Sequence, residues 1–292
     1  MKPKNFKEAL RFFLDRQEGN RSARLHNMAN AMRLVARHHV KVNEVTFTEL
    51  SRLCKKLNPG NKHQMTEKNR ERLRQFDCEE NVVKFLELPD RLEKKARALI
   101  VQNPLKAARL MERAVLFGIQ THYALRPRTL RSLHLERNFI WDSNARTPRC
   151  FFALFPEDLK TRSQLEFELA PDLAALIDEH LRDFRPHLPW SDSAWLFPGM
   201  DGNARSKNAI YEAIRSTAGK QAGLILNPHL FRHALAKIVI ERDPAALHAV
   251  QQVLGHTTMN TTLAHYLGTE TKSAGKHLDS LLERTLHDKG DD

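Results

Sequence analysis

The sequence predicts a mainly helical protein with a small antiparallel β-sheet, organised as two domains. Apolar residues recur at helical spacing through most of the chain, whereas a strand-like period appears only between Leu133 and Leu169. A charged stretch containing two prolines, at 88–104, separates two long helical patterns. With 292 residues, of which 41% are hydrophobic, the chain is long enough to bury two cores.

The first predicted domain is helical and spans residues 1–98. Asn5 and Glu8 have the spacing of a capping box ahead of an apolar helical pattern. A second apolar stripe runs from Leu25 to Ala36 with the same period. We interpret the stretch at 88–104 as the hinge to the next domain, because its prolines and charges loosen the helical pattern there.

The second predicted domain spans residues 99–270 and contains the sheet. A helix that begins near Leu105 is expected to stop or restart at Pro127. Three short strands are predicted at 139–141, 150–155 and 165–169, and the helical pattern resumes at 171–184 and 208–222. A helical tail is predicted at 271–292. Four leucines recur at helical spacing in this tail: Leu278, Leu281, Leu282 and Leu286. They suit either docking on a neighbouring protomer or packing on the tail's own domain.

The charge balance indicates a polyanionic partner. Lys and Arg total 47 against 35 Asp and Glu, a formal net charge of +12, so the protein should bind nucleic acid and bind it less well as salt rises. Each positive residue by itself is more typical of a solvated helix face, and only the set as a whole favours a surface that follows DNA phosphates. The candidates for contact with double-stranded DNA are Arg21, Arg24, Lys68, Arg70, Arg72, Arg74, Lys94 and Lys95.

Cysteine usage and hydropathy exclude several classes of protein. Cys54, Cys78 and Cys150 are odd in number and far apart, so neither disulfides nor a metal site is predicted. No apolar run approaches the ~18 residues that a membrane-spanning helix needs, and the first residues lack the apolar segment of a signal peptide. We therefore expect a cytoplasmic protein that does not bind membranes.

Residues that carry chemistry are concentrated between Pro228 and Tyr266. His229 and Arg232 follow the proline, and His256 precedes the tyrosine. A guanidinium fork fits the oxygens of a phosphodiester, and histidine titrates near neutrality. A phenol becomes a nucleophile only when another group handles its proton. The grouping predicts phosphoryl transfer to a tyrosine.

An ordered series of motifs in this chain resembles the tyrosine recombinase (phage integrase) family. The series consists of Ala124-Leu125-Arg126, Lys160 in a strand hairpin, His229-x-x-Arg232-His233, Leu254-Gly255-His256 and Tyr266. The resemblance covers about 105–270 by motif, and the N-terminal helices resemble the core-binding domain of the family only loosely.

The resemblance implies a tyrosine recombinase architecture, in which a helical core-binding domain and a catalytic domain close around duplex DNA. It implies that Arg126 and Arg232 stabilise the charge that develops on the phosphate during attack. Lys160 would protonate the leaving 5′ oxygen, while His229 and His256 would hydrogen-bond the phosphate and handle the proton of the nucleophile. Tyr266 would be that nucleophile. No cofactor is implied, because a 3′-phosphotyrosine preserves the energy of the phosphoester, and no metal, because arginines supply the positive charge.

Two positions depart from the pattern of the family. Thr129 stands where many members carry an acidic residue that supports the site. Tyr266 lies one residue further from His256 than in many members, and His265 occupies the usual place of the nucleophile. One residue rotates a helix by ~100°, so the connecting loop must absorb the difference. His233 and His265 are each explained equally well as core histidines.

The function that the resemblance implies is site-specific DNA recombination by a bacterial, nucleoid-associated enzyme that acts as a homotetramer on two DNA sites. Two alternatives stay open at this point. A topoisomerase IB-like nicking and closing enzyme would use the same chemistry without joining two sites. A catalytically impaired regulator would keep the fold and bind DNA without turnover, and Thr129 and the shifted Tyr266 are its support in the sequence.

Overall fold

The computed structural model describes residues 3–60, 65–142, 146–157 and 164–254, with the side chain of Val253 left out. The chain divides into two compact units, residues 1–63 and residues 64–292. Helices dominate both units, and one small antiparallel sheet lies in the second unit. The predicted fold class is therefore confirmed.

The first unit is a small bundle of helices. Its helices are α1 (Pro3–Asp15), α2 (Ala23–His38) and α3 (Glu44–Lys56). Ser22 and Asn43 cap α2 and α3, because their side-chain oxygens accept hydrogen bonds from Leu25 N (3.2 Å) and Thr46 N (2.9 Å). Since α1 begins at Pro3, Asn5 lies inside the helix and the predicted capping box is wrong. The three helices enclose a core that includes Phe6, Leu10, Leu25, Ala29, Leu50 and Cys54.

The second unit contains the remaining described helices. They are α4 (Glu67–Leu73), α5 (Glu79–Leu86), α6 (Leu88–Leu99), α7 (Pro104–Tyr123), α8 (Pro127–Arg131), α9 (Leu135–Asn138), α10 (Pro171–Glu179), α11 (Lys207–Ala222), α12 (Pro228–Arg242) and α13 (Leu247–Leu254). A π-helical turn at His180–Phe184 continues α10, and Pro127 restarts the chain as α8, as predicted. The 20 residues of α7 are buried along most of their length, so this helix is the centre of the core.

The boundary predicted between residues 98 and 99 falls inside the second unit. Residues 88–99 form α6, which packs against α7 through the buried side chains of Leu88, Leu92 and Ala96. The charged residues that suggested a hinge lie on the opposite face of the same helix, where Lys94 and Lys95 are exposed. An amphipathic helix was therefore mistaken for a linker.

The three predicted strands are present, as β1 (Phe139–Trp141), β2 (Cys150–Leu154) and β3 (Leu165–Glu168). They form an antiparallel sheet in the order β1-β2-β3, with Phe152 opposite both Phe139 and Phe167. The ring of Tyr123 packs on this aromatic face, with centroids 5.2 Å from Phe152 and 5.0 Å from Phe167. The sheet thereby anchors the C-terminal end of α7. Among the described helices, none combines the length and the apolar composition needed to cross a membrane.

Candidate active site

The first two turns of α12 carry two of the predicted site residues, His229 and Arg232. Asn227 caps the helix, because its side-chain oxygen accepts hydrogen bonds from the backbone N–H groups of His229 and Leu230, both at 3.0 Å. Pro228 occupies the next position, where a missing N–H costs nothing. His229 and Arg232 therefore project from a well-defined helix N-terminus, whose dipole favours anions.

Arg232 joins three parts of the second unit. Its side chain is buried, and its two terminal nitrogens donate to the carbonyl oxygens of Ala124 and Leu254, the latter at 2.6 Å. Ala124 ends α7 in a left-handed conformation, with φ of 41°, and its carbonyl belongs to the turn that leads into Arg126. The position of Arg232 is therefore coupled to that of Arg126 through one hydrogen bond and one intervening residue, Leu125.

Arg126 lies directly before Pro127, at the N-terminal end of α8. Its side chain is half-buried, and burial lowers the pKa of the guanidinium. An arginine remains protonated even so. A cation that is partly removed from water in this way is well suited to bind a phosphate, because water competes less for its charge.

The electrostatics of His229 show which cations lie near it. Partial desolvation lowers the pKa of the exposed imidazole, and the charges of Arg232, Lys207 and Arg126 lower it further. His229 is therefore neutral at physiological pH, with one nitrogen that donates and one that accepts. The three cations together create a positive potential at the start of α12, which is the environment that a phosphate requires.

Lys207 was not predicted from the sequence as a site residue. It is the first residue of α11, and Ser206 caps this helix by accepting a hydrogen bond from Ala209 N at 3.2 Å. A serine cap followed by a lysine is an ordinary helix start, so nothing in the sequence indicates that the charge of Lys207 acts on His229. Only the packing of α11 against α8 and α12 brings it there.

Several predicted catalytic residues lie outside the described residues. They are Lys160, His256 and Tyr266. Of the chain's three tyrosines, Tyr123 is buried against the sheet, and burial raises the pKa of its phenol to about 12. Thr129, which departs from the family pattern described above, is also buried. A hydroxyl is less costly to bury there than a carboxylate.

The predicted DNA contacts are distributed over both units. Arg21 and Arg24 are exposed in the first unit, at the start of α2. The candidates in the second unit lie on α4, on the turn that follows it and on α6, and they are Lys68, Arg70, Arg72, Arg74, Lys94 and Lys95. Arg72 is half-buried, and the others are exposed. Arg70 pairs with Glu67 at 3.0 Å, and Lys95 donates to Gln221 at 2.7 Å. Contact of these residues with DNA stays a prediction.

Residues 90–272 match the phage integrase family. This segment is more than half of the chain, and the protein belongs to that family. The resemblance inferred from the motifs is therefore confirmed.

Relatives of known name are tyrosine recombinases. The chain is 31% identical over 97 residues to tyrosine recombinase XerC of Pseudomonas putida (strain W619), which covers 33% of this chain and 32% of the relative. It is 34% identical over 82 residues to tyrosine recombinase XerD of Brucella suis biovar 1 (strain 1330), covering 27% of this chain and 26% of the relative. The matched segments thus span about a third or less of these relatives.

The fold is similar to that of XerH site-specific recombinase, whose structure was solved bound to a palindromic difH substrate as a post-cleavage complex. The superposition has a TM-score of 0.50 at 15% sequence identity, and it covers 87% of this chain and 72% of XerH. At this identity the similarity concerns the fold.

Proposed function

We propose that the protein is a site-specific DNA recombinase that cleaves and rejoins strands through a 3′-phosphotyrosyl intermediate. The observation that carries the proposal is the convergence of Arg126, His229 and Arg232 at the N-terminus of α12. These are the residues that the family motifs select, and the fold brings them together from α7–α8 and α12. Membership of the phage integrase family supports the same chemistry.

The proposed reaction is a transesterification. The phenolic oxygen of Tyr266 attacks the phosphorus, a Tyr–O–P bond forms, and the bond to the 5′ oxygen breaks. Negative charge builds on the non-bridging oxygens, where Arg126 and Arg232 stabilise it. Neutral His229 donates a hydrogen bond to the phosphate, and its low pKa keeps it in this form.

Two further residues of the family motifs, Lys160 and His256, would transfer the protons that the reaction moves. Lys160 gives a proton to the leaving 5′ oxygen, which departs as a hydroxyl, and His256 assists the loss of the proton from Tyr266. In the second step a 5′ hydroxyl attacks the phosphotyrosine, so that the tyrosine is released and the strand is rejoined. Tyr266 lies one residue beyond the spacing that is usual in the family, and the extra residue must still allow it to reach the phosphate.

The substrate in this proposal is double-stranded DNA, and the active assembly is a homotetramer on two sites, associated with the bacterial nucleoid. Each strand exchange cuts one strand at each of two sites, and each cut needs one tyrosine, so complete recombination needs four. The exposed cations of both units would neutralise phosphates of the duplex.

A nicked suicide duplex tests the proposal. DNA sites are first recovered by selection from a random duplex library with the full-length protein, and a nick is then placed next to the cleavage position so that the short fragment diffuses away. We expect a covalent adduct that resists denaturation and is absent in Tyr266→Phe. Tyr211→Phe is the matched control, because it removes an exposed phenol from the described part of the chain, and it should retain the adduct.

Other outcomes contradict the proposal. Relaxation of supercoiled DNA that lacks the selected site, without recombination between two sites, would indicate a nicking and closing enzyme. Specific binding without an adduct would indicate a regulator. Recombination of a two-site plasmid, with protomers cross-linked as a tetramer on both sites, is the result that we expect.

A further inference from the structure

A cationic cavity lies in the second unit. It has a volume of about 740 Å³ and lies between the N-terminal half of α7, the end of α8, residues 188–206 and the start of α11. Four arginines line this cavity, which we name the arginine cavity: Arg109, Arg113, Arg131 and Arg205. None of the four belongs to the motifs of the family that the sequence displays.

The carboxylates of the cavity do not neutralise all of these cations. Buried Glu112 accepts hydrogen bonds from both terminal nitrogens of Arg205, at 2.8 and 2.6 Å, so the charges of these two residues neutralise each other. Asp201, the other acidic residue of the lining, accepts hydrogen bonds from the backbone and side chain of Asn203, at 3.2 and 3.1 Å. Three arginines therefore face one remaining carboxylate, which is exposed and already hydrogen-bonded.

Arg113 shows that the positive charge is in excess. Its closest approach to a carboxylate is 3.9 Å, to Glu112, and its Nη1 is buried without a hydrogen-bond partner in the described structure. Burial lowers the pKa of this guanidinium; the carboxylate of Glu112 opposes the shift, whereas the charges of Arg205 and Arg109 add to it. An anion in the cavity would relieve this repulsion.

The cavity also has a fixed aromatic wall. Trp190 lines it with a left-handed backbone, φ of 60°, which is costly for a tryptophan and marks functional positions in many proteins. Its indole nitrogen donates to Met200 O at 2.9 Å. Gly202 lies against the ring, because a Cβ at Gly202 would come within 3.1 Å of the indole. Trp190 as a whole nevertheless remains 48% exposed.

The segment that carries Trp190 is rigid. Buried Arg185 donates hydrogen bonds to four carbonyl oxygens of the segment, those of Ser191, Ser193, Trp195 and Leu196. A charged fork that donates to four carbonyls of one loop favours a single conformation of that loop. The exposed indole is therefore preorganised before any ligand arrives.

We infer that the arginine cavity binds a nucleotide with an unpaired base, which stacks on Trp190 while its phosphate binds Arg109, Arg113 and Arg131. Flat aromatic rings beside arginines are the recurring means by which proteins hold unpaired nucleotides. The volume suits a ligand of this size. An acidic peptide would use the arginines without the indole, and the bases of an intact duplex are stacked and do not reach it.

The place of the cavity explains where such a nucleotide would come from. Arg126 and Arg131 lie at the two ends of α8, separated by roughly 8 Å along the helix axis. Arg205, which lines the cavity, and Lys207, whose charge acts on His229, are likewise separated only by Ser206. For this source of the nucleotide the inference rests on the proposed function: exchanged strands must leave one partner before they pair with the other, so bases beside the cut are transiently unpaired.

Quenching of tryptophan fluorescence measures this binding without cleavage. The probes are dAMP, a single-stranded octanucleotide of dA, and the same sequence as a duplex, each titrated into the full-length protein. We expect saturable quenching by the single strand, weakened by salt. Trp190→Gly should abolish most of the quenching and weaken binding about tenfold, which matches the loss of one base stack. Glycine tolerates the left-handed backbone, so the variant should fold.

Charge variants and a matched tryptophan variant complete the test. Arg109 is exposed, so Arg109→Gln should weaken binding of the single strand without loss of stability. Arg182→Gln is the control of equal charge outside the cavity, and Trp141→Phe is the control for the loss of an indole. Both controls should bind as the unchanged protein does. Tighter binding of the octanucleotide than of dAMP assigns the site to a DNA strand, and equal binding assigns it to a free nucleotide.

Two outcomes overturn the inference. One is equal binding of the duplex and the single strand with no effect of Trp190→Gly. The other is binding of polyglutamate at the same affinity as the octanucleotide, which would assign the cavity to an acidic protein. Formation of the Tyr266 adduct is measured separately, so a protein that binds through Trp190 but never cleaves DNA refutes the proposed function alone.

Discussion

Replacing His180 by phenylalanine should make the second unit less sensitive to acid. His180 begins the π-helical turn after α10, is completely buried, and has no hydrogen-bond partner on either ring nitrogen in the described structure. Burial lowers its pKa to about 4, with Arg185 contributing in the same direction and Glu112 opposing. The ring is therefore neutral in the folded protein over most of the acidic range.

The sign and size of the effect follow from proton linkage. As pH falls below the ordinary value of 6.5, the histidine binds a proton in the unfolded chain but not in the folded one, so the free energy of unfolding decreases. The decrease continues to about pH 4 and amounts to about 3 kcal/mol, because one unit of pKa difference corresponds to about 1.4 kcal/mol. At neutral pH the two unpaired nitrogens cost a further ~1 kcal/mol or more. Phenylalanine has a similar shape and removes both penalties.

Urea unfolding at pH 7 and at pH 4.5 measures the effect. All three tryptophans lie in the second unit, so their fluorescence reports its unfolding. We expect His180→Phe to be at least as stable at pH 7, and to lose ~2 kcal/mol less than the unchanged protein on going to pH 4.5. His187→Phe makes the same replacement at an exposed position and should lose as much as the unchanged protein. Equal losses in His180→Phe and the unchanged protein would refute the reasoning.

Three further predictions concern two cations near His229, which are Arg232 and Lys207, and the buried carboxylate of Glu112. Arg232→Lys should lower the free energy of unfolding, measured in urea, by ~2 kcal/mol, because lysine cannot reach both carbonyls of Ala124 and Leu254. The variant should also form no covalent adduct at temperatures where it is folded. An unchanged adduct yield would contradict the proposed role of Arg232. Glu112→Gln should cost ~3 kcal/mol or more, because it leaves Arg205 charged and unpaired; a cost near zero would show that water replaces the carboxylate. Lys207→Gln removes a cation that lowers the pKa of His229, so that pKa should rise and the acidic limb of the single-turnover cleavage rate should move to higher pH, whereas Lys220→Gln, at an exposed position of the same helix, should leave the limb in place.

Local patterns predicted the secondary structure better than the division into domains. The three strands follow from their alternation of apolar residues and from the turns between them, and Pro127 restarts a helix as proline rules require. A hinge was predicted at 88–104 because the charges of this segment are conspicuous in the sequence. The contacts of Leu88 and Leu92 with α7 form only in the folded protein, so the sequence does not display them. The start of α1 at Pro3 shows the usual uncertainty of helix ends.

Within the site, motifs predicted residues and tertiary contacts supplied their surroundings. Arg126, His229 and Arg232 were predicted from their order along the chain, and the fold brings them together. Lys207 and the arginine cavity were not predicted, because the pair formed by Arg205 and Glu112 joins positions 93 residues apart. The left-handed backbone of Trp190 has no signal in the sequence, since tryptophan is rare in that conformation.

Peptide mapping of the covalent protein–DNA adduct tests the central claim most directly. The adduct formed on a nicked suicide duplex is digested with protease and nuclease, and the modified residue is located by mass spectrometry. The proposed mechanism predicts a 3′-phosphonucleotide on the phenolic oxygen of Tyr266. Modification of another residue, or specific binding of the duplex without any modified peptide, would contradict it.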